Sequence, residues 1–308
     1  MACYDIIGDI HGHADELKAL LVELGYTPHS PGNGYRHPDR KVVFVGDFVD
    51  RGPAVADVIE IARATVEAGD GFAVMGNHEY NTITFHTPVP GKPDVWFRER
   101  TEKNLKQNQA TRDQLSPSQL ADAIAWFKTL PVALELDGIR VVHAAWRPQQ
   151  INLIENVFKS LGRFSAAFLA ESQSVGSELH KAVEEVLKGP ELLLPEGLSI
   201  VDKAAHRRNT MRIKWYETPA GGTYRDYHLG SDQVPDAAIN QDSVQGMTGY
   251  PSDSPPVFVG HYWLTGTPKP LATNVACTDY SVAKGGKLVA YRWDGEAVLS
   301  ADKFHWCR

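Results

Sequence analysis

What most constrains this chain is where its polar motifs fall. Five of them each follow an apolar, strand-like run: Gly8-Asp9-Ile10-His11-Gly12, Gly46-Asp47-Phe48-Val49-Asp50-Arg51-Gly52, Gly76-Asn77-His78-Glu79, Val142-His143 and Gly260-His261. In open α/β sheets the loops at the carboxyl ends of strands converge on the ligand crevice. Five separate segments can therefore place side chains in one pocket. These motifs run from Asp9 to His261, so no cut leaves the pocket whole, and a single catalytic domain over residues 1–308 is expected.

The local patterns agree with such a sheet. CYDIIG (Cys3–Gly8), KVVFVG (Lys41–Gly46) and Phe72–Gly76 are buried-strand runs. Between them Leu17, Leu20, Leu21 and Leu24, then Val55, Val58, Ile59, Ala62 and Val66, recur at helical spacing, with Pro53 at a first helical position. The result is βαβαβ, which predicts a mostly parallel sheet covered by helices. Further on, Ser116-Pro117 starts a helix, and VALELDGIRVV (Val132–Val142) is a hairpin turning at Asp137-Gly138. Residues 150–190 read as helical, Met211–Trp215 as a strand, 221–256 as loop, and the C-terminal part returns to strands. Two stretches, about 84–115 and 150–255, stand as insertions.

The motif residues indicate what the pocket holds. Asp9, His11, Asp47, Asn77, His143 and His261 offer oxygen and imidazole donors and no thiolate. Such donors suit Mn²⁺, Fe or Zn²⁺. Six are too many for one four-coordinate zinc but suit two ions sharing a carboxylate, a standard device for phosphate ester hydrolysis. The three cysteines, Cys3, Cys277 and Cys307, have no metal or redox spacing, and their odd count argues against a disulfide framework.

Asp9-Ile10-His11-Gly12, Gly46–Gly52 and Gly76–Glu79, continued by His143 and Gly260-His261, resemble the phosphoprotein phosphatase family of calcineurin-like metallophosphoesterases. The segments Cys277–Tyr280 and Gly285–Leu288 look like the family's closing strands. The resemblance implies an α/β fold, a double β-sandwich flanked by helices, here with cap-like insertions. It implies two divalent ions, most simply Mn. Asp9, His11 and Asp47 would hold one, and Asp47, Asn77, His143 and His261 the other, with Asp47 bridging. Arg51 and Asn77 would bind substrate phosphate, His78 would protonate the leaving group, and Asp50 would hold His78. Glu79 would support the loop. Where the family has a glycine soon after the first late histidine, this chain has His143-Ala144-Ala145-Trp146.

The resemblance also implies a second phosphate-binding arginine, which has no fixed motif. Residues 202–215 carry five Lys or Arg in a chain of net charge −7. Arg207 or Arg212 would complete the phosphate clamp, unless these charges only guard a solvated strand edge. Arg98, Arg100, Lys103 and Lys106 read as a solvated face. The expected activity is hydrolysis of phosphomonoesters on phosphorylated proteins or small phosphoesters. A dinucleoside polyphosphate hydrolase or other nucleotide phosphoesterase is the alternative on the same frame. An inactive phosphopeptide-binding module would have lost ligands, and none is missing. The acidic balance disfavours nucleic acid and anionic membranes as partners. No apolar run approaches the ~18 residues of a bilayer span. With no room for an apolar leader before Gly8, a reducing cytoplasm is the expected compartment.

Overall fold

Tyr4–Ile7, Lys41–Phe44 and Gly71–Ala73 are parallel neighbours, as the βαβαβ pattern requires. Lys287–Trp293 adds antiparallel to the free edge of Tyr4–Ile7, and Asp279–Tyr280 and Phe304–Cys307 complete a six-stranded sheet. A second sheet of four strands runs Val275–Cys277, Val257–Val259, Ile139–Val142, Ala133–Leu136. The computed structural model describes residues 3–29, 32–201, 207–219, 221–230, 234 and 236–308.

Strand alternation decides which layer each side chain joins. Ile6, Val43 and Val45 pack with Ile139, Val141, Phe258, Val289 and Tyr291 between the two sheets. Their neighbours Ile7, Val42, Phe44, Val142, Val257 and Val259 face the other way, into the core beneath the helices. The fold is thus the expected metallophosphoesterase sandwich. Ala14–Glu23 and Val55–Glu67 cover the first sheet with the leucine and valine faces read above, though the second helix begins two residues past Pro53. Ser116 caps Pro117–Phe127 as expected, accepting the Gln119 N–H.

The two insertions are more structured than expected. Asn77–His86 is one continuous helix, so Gly76-Asn77-His78-Glu79 is a helix start rather than a free loop. After it come a hairpin, Pro88–Val89 with Lys92–Trp96, and the short helices Glu102–Gln107 and Gln109–Gln114. In the second insertion Pro148–Leu161, Ala166–Ser172 and Glu178–Lys188 pack on the main core. Beyond Gly189, small ribbons pair Glu191–Leu193 with Thr210–Arg212 and Ile200–Val201 with Arg207–Arg208. With the turn Tyr224–Tyr227 they enclose a core of their own around Leu192, Met211, Ile213 and Tyr227. This is the cap. Residues 202–206 of the basic segment, His206 included, lie outside the described residues.

Candidate metal centre and its cleft

The post-strand loops are tied to one another through their backbones. His11 N–H donates to Asp47 O (2.8 Å), Gly52 N–H to His11 O (2.9 Å), and Gly260 N–H to His143 O (2.8 Å). Their approach is close enough to demand glycine. A Cβ on Gly260 would lie 2.1 Å from Asp9 Oδ1, and one on Gly76 would lie 2.3 Å from Asp47 Oδ1. Of eight non-glycine residues in left-handed backbone among the described residues, six are here: His11, Asp47, Asp50, Arg51, His261 and Trp263. Such strain persists only where the surroundings enforce it, and it clusters at functional sites.

Glu79 does the enforcing for one loop. Its buried carboxylate accepts the N–H groups of Asp47 (2.8 Å), Phe48 (2.8 Å), Val49 (3.4 Å) and Gly76 (3.0 Å). It stands behind the loop, in the supporting position expected of it.

The six candidate ligands are all buried. Asp47 lies at their centre: its Oδ2 is 3.5 Å from His11 Nε2, and its Oδ1 is 3.5 Å from His143 Nε2. Two donor groups share it, His11–Asp47–His78 and Asp47–His143–His261. Asn77 Oδ1 faces His143 Nε2 at 3.2 Å and His261 Nδ1 at 2.7 Å. Asp9 joins neither group of three; both its oxygens receive the His261 N–H at 3.1 Å.

The hydrogen bonds behind these ligands show that the donor set fits cations. His11 Nδ1–H donates to Val49 O (2.9 Å) and His143 Nδ1–H to Val45 O (2.7 Å), which turns each Nε2 lone pair inward. Nε2 of His11 and of His261 are buried without a hydrogen-bond partner among the described residues. His143 Nε2 and Asn77 Oδ1 are both acceptors when the ring is neutral, and a cation between them reconciles them. The electrostatics agree. Burial opposes charge on His143, yet the Asp47 and Asp9 carboxylates outweigh it and push it up to about 10. Burial, with Asp279 nearby, drives Asp9 well above the usual carboxylate range. A pair of divalent ions would discharge both tensions.

His78 is oriented differently. Its Nδ1 meets Asp50 Oδ2 at 2.6 Å, and its Nε2 lies 3.4 Å from Arg51 Nη2. Asp50 is held by two residues that sequence reasoning missed: Thr111 Oγ1 (2.5 Å) and Asn108 Nδ2 (3.0 Å) both donate to Oδ1. They come from the supposed surface insertion. Only their burial among polar neighbours marks them, and no local motif does.

A cleft of about 1180 Å³ opens over this centre, and Asp47, Arg51, Asn77, His78 and His261 line its floor. Its walls correct two expectations. Arg98, Lys103 and Lys106 line the cleft instead of forming a remote solvated face; Arg100 does not, and stacks on Trp96 at 3.4 Å. Arg212 lines the cleft, but Arg207 is exposed and does not, and its neighbour Arg208 takes that place. Burial first, and the Arg212 charge second, hold His261 well below the usual histidine range. At His143-Ala144-Ala145-Trp146, the two alanines pack fully buried, their N–H groups donating to Val186 O, and Trp146 walls a separate groove with Arg140 and Tyr250.

The model of the calcineurin-like phosphoesterase family matches residues 4–242, most of the chain. The chain belongs to that family. Five of the six candidate ligands fall inside the matched stretch; His261 lies beyond it and is brought in by the fold. As a calcineurin-like phosphoesterase, the protein is similar to the bis(5'-nucleosyl)-tetraphosphatase PrpE [asymmetrical] of Halalkalibacterium halodurans, 32% identical over 155 residues, 48% of this chain and 59% of that one. The protein of the same name from Geobacillus sp. is 45% identical over 154 residues, with the same coverage. The chain thus spans about 59% of the length of these curated relatives. Among solved structures, a protein serine/threonine phosphatase from Saccharomyces cerevisiae overlaps 99% of this chain and 79% of its own at 15% identity, with a TM-score of 0.49. No helix of the described residues is long and apolar enough to cross a membrane.

Proposed function

We propose that this phosphoesterase hydrolyses dinucleoside polyphosphates, the alternative weighed from the sequence, in preference to phosphorylated proteins. The observation that carries this is the charge of the cleft. Arg51, Arg98, Lys103, Lys106, Arg212 and Lys284 line it without an ion pair among the described residues, while three of the carboxylates that also line it, Glu184, Glu185 and Glu191, are taken up by Lys188, Arg147 and Arg208. One phosphomonoester brings a charge of only about −1.5 to −2. Six cations outside any ion pair suit a chain of several phosphates. The volume supports this, since ordinary ligand pockets hold roughly 300–1,000 Å³. So do the names of the curated relatives.

Asp9, His11, Asp47, Asn77, His143 and His261 would hold two divalent ions, with Mn²⁺ favoured by a donor set of nitrogen and oxygen only. When bound, such ions supply an activated water and neutralise phosphoryl oxygens. Arg51 grips the phosphate undergoing attack, Arg212 serves as the second clamp, and His78 carries a proton to the departing oxygen. Lys103 and Lys106 sit one helical turn apart and face the phosphates beyond the cleaved bond.

The test is a panel of dinucleoside tetraphosphates, mononucleotides and phosphopeptides at equal metal. The tetraphosphates should show the highest kcat/KM. Lys103→Ala with Lys106→Ala should raise KM for them and leave a simple aryl phosphate unaffected. A phosphopeptide preferred over every nucleotide would return the protein to the phosphoprotein phosphatase reading.

A further inference from the structure

We infer that Trp263 is a positioning residue for Arg51. Arg51 is a long, exposed side chain on the floor of a wide cleft. Left free, its guanidinium would sample many rotamers and lose that freedom on gripping a phosphate. A guanidinium already in place loses less, and the charge developing during reaction meets a donor that need not reorganise. The structure supplies the means. Arg51 Cζ lies 4.2 Å from the centroid of the Trp263 indole, a cation–π contact that also uses the planar face of the guanidinium.

The platform is itself fixed. Trp263 has left-handed backbone, φ +52, three residues after the turn at Gly260. Its backbone N–H donates to Asp279 Oδ2 at 2.6 Å, and the other oxygen of Asp279 accepts the Ser281 backbone N–H at 2.9 Å. Ser281 Oγ–H closes the brace on Leu264 O at 3.2 Å. Lys284 Nζ lies 4.6 Å from the same indole, so a second cation bears on the ring and helps to hold its plane. Asp279 is fully buried and touches none of the candidate ligands by hydrogen bond; its service is to this loop. The indole thus joins the loop carrying Arg51 to the loop carrying His261, although the two are about 210 residues apart in sequence.

This inference rests on the phosphate-gripping role proposed for Arg51, and a double-mutant cycle tests both separately. Arg51→Ala, Trp263→Leu and the double variant are assayed on a dinucleoside tetraphosphate and on p-nitrophenyl phosphate, with metal content measured for each. Trp263→Leu should lower kcat/KM about tenfold on both substrates with both metals retained, and Trp263→Phe should recover most of it. In the Arg51→Ala background the same change should cost less than about twofold, because there is no guanidinium left to place. An equal loss in both backgrounds would overturn the inference, since a merely structural tryptophan acts independently of Arg51. So would wild-type activity in Trp263→Leu, or an Arg51→Ala variant with no loss of its own. If the cycle appears with p-nitrophenyl phosphate while the tetraphosphate is not cleaved, the substrate assignment fails and the positioning role stands. Should Trp263→Leu fail to fold, the cycle is run with Trp263→Phe, expecting a smaller loss with the same non-additivity.

Discussion

Replacing His78 with alanine should cost rate in proportion to how poor the leaving group is. Its Nδ1 is committed to Asp50 at 2.6 Å, so Nε2 is the nitrogen turned to the cleft, beside Arg51 at 3.4 Å. In the proposed reaction a proton on Nε2 is delivered to the departing oxygen. Where such delivery is required, a positioned acid contributes about 10²–10⁴ in rate, or roughly 3–5 kcal/mol at 1.36 kcal/mol per factor of ten. A serine alkoxide cannot depart without it. A nucleoside polyphosphate departs as a stable anion, its terminal group having a pKa of about 6, so His78→Ala should lose less than about tenfold on a dinucleoside tetraphosphate. The assay is kcat/KM for wild type and variant on a phosphoserine peptide, p-nitrophenyl phosphate and a dinucleoside tetraphosphate, with metal content determined alongside. Equal losses on all three would refute the proton-delivery role and leave His78 a positioning group. Loss of metal would make it a ligand, to which its Nε2 comes near, at 3.9 Å from Asp47 Oδ2.

Two further outcomes follow from the same geometry. Asp47 faces His11 with one oxygen and His143 with the other, so Asp47→Asn should lose both ions, whereas His11→Ala or His261→Ala should weaken one; metal analysis of the purified variants decides it. Thr111→Val removes the donor to Asp50 Oδ1 and leaves every candidate ligand in place, so it should keep both metals yet lose about tenfold on the phosphoserine peptide; an equal loss on p-nitrophenyl phosphate would show that Thr111 supports the loop generally.

The candidate metal ligands were legible as local events: Asp9, Asp47, Asn77, His143 and His261 each fall one or two residues past an apolar run, and His11 follows Asp9 by two. Asp137-Gly138 was legible for the same reason, as a turn between two short strands. Asn108 and Thr111 were not. They reach Asp50 from 58 and 61 residues away, and nothing near them in sequence refers to it. Lys103 and Lys106 carry the ordinary pattern of a solvated helix, and only the fold of the preceding hairpin turns that helix over the cleft. A cap was expected, and alternation showed one of its strands at Met211–Trp215, close to the observed Thr210–Arg212, but length hid the other ribbons. They are two or three residues long, too short for alternation to stand out from loop. Arg207 and Arg212 looked equivalent as charges, and their registers in two different ribbons separate them.

The separate core of the cap has a consequence for how such a protein can change. Leu192, Met211, Ile213, Tyr224 and Tyr227 are buried against one another, apart from both cores of the sandwich. Mutations that repack them are felt inside the cap, while the metal-bearing loops stay braced by Glu79, Asp279 and their own backbone bonds. The unit that carries Arg208 and Arg212 can therefore drift, lengthen or be exchanged as a block without passing through forms that have lost their metals. A chain built this way can acquire new substrates by inheritance of a new cap on an old hearth, and grafting the segment between Gly189 and Pro256 from one relative onto another is the laboratory version of that step.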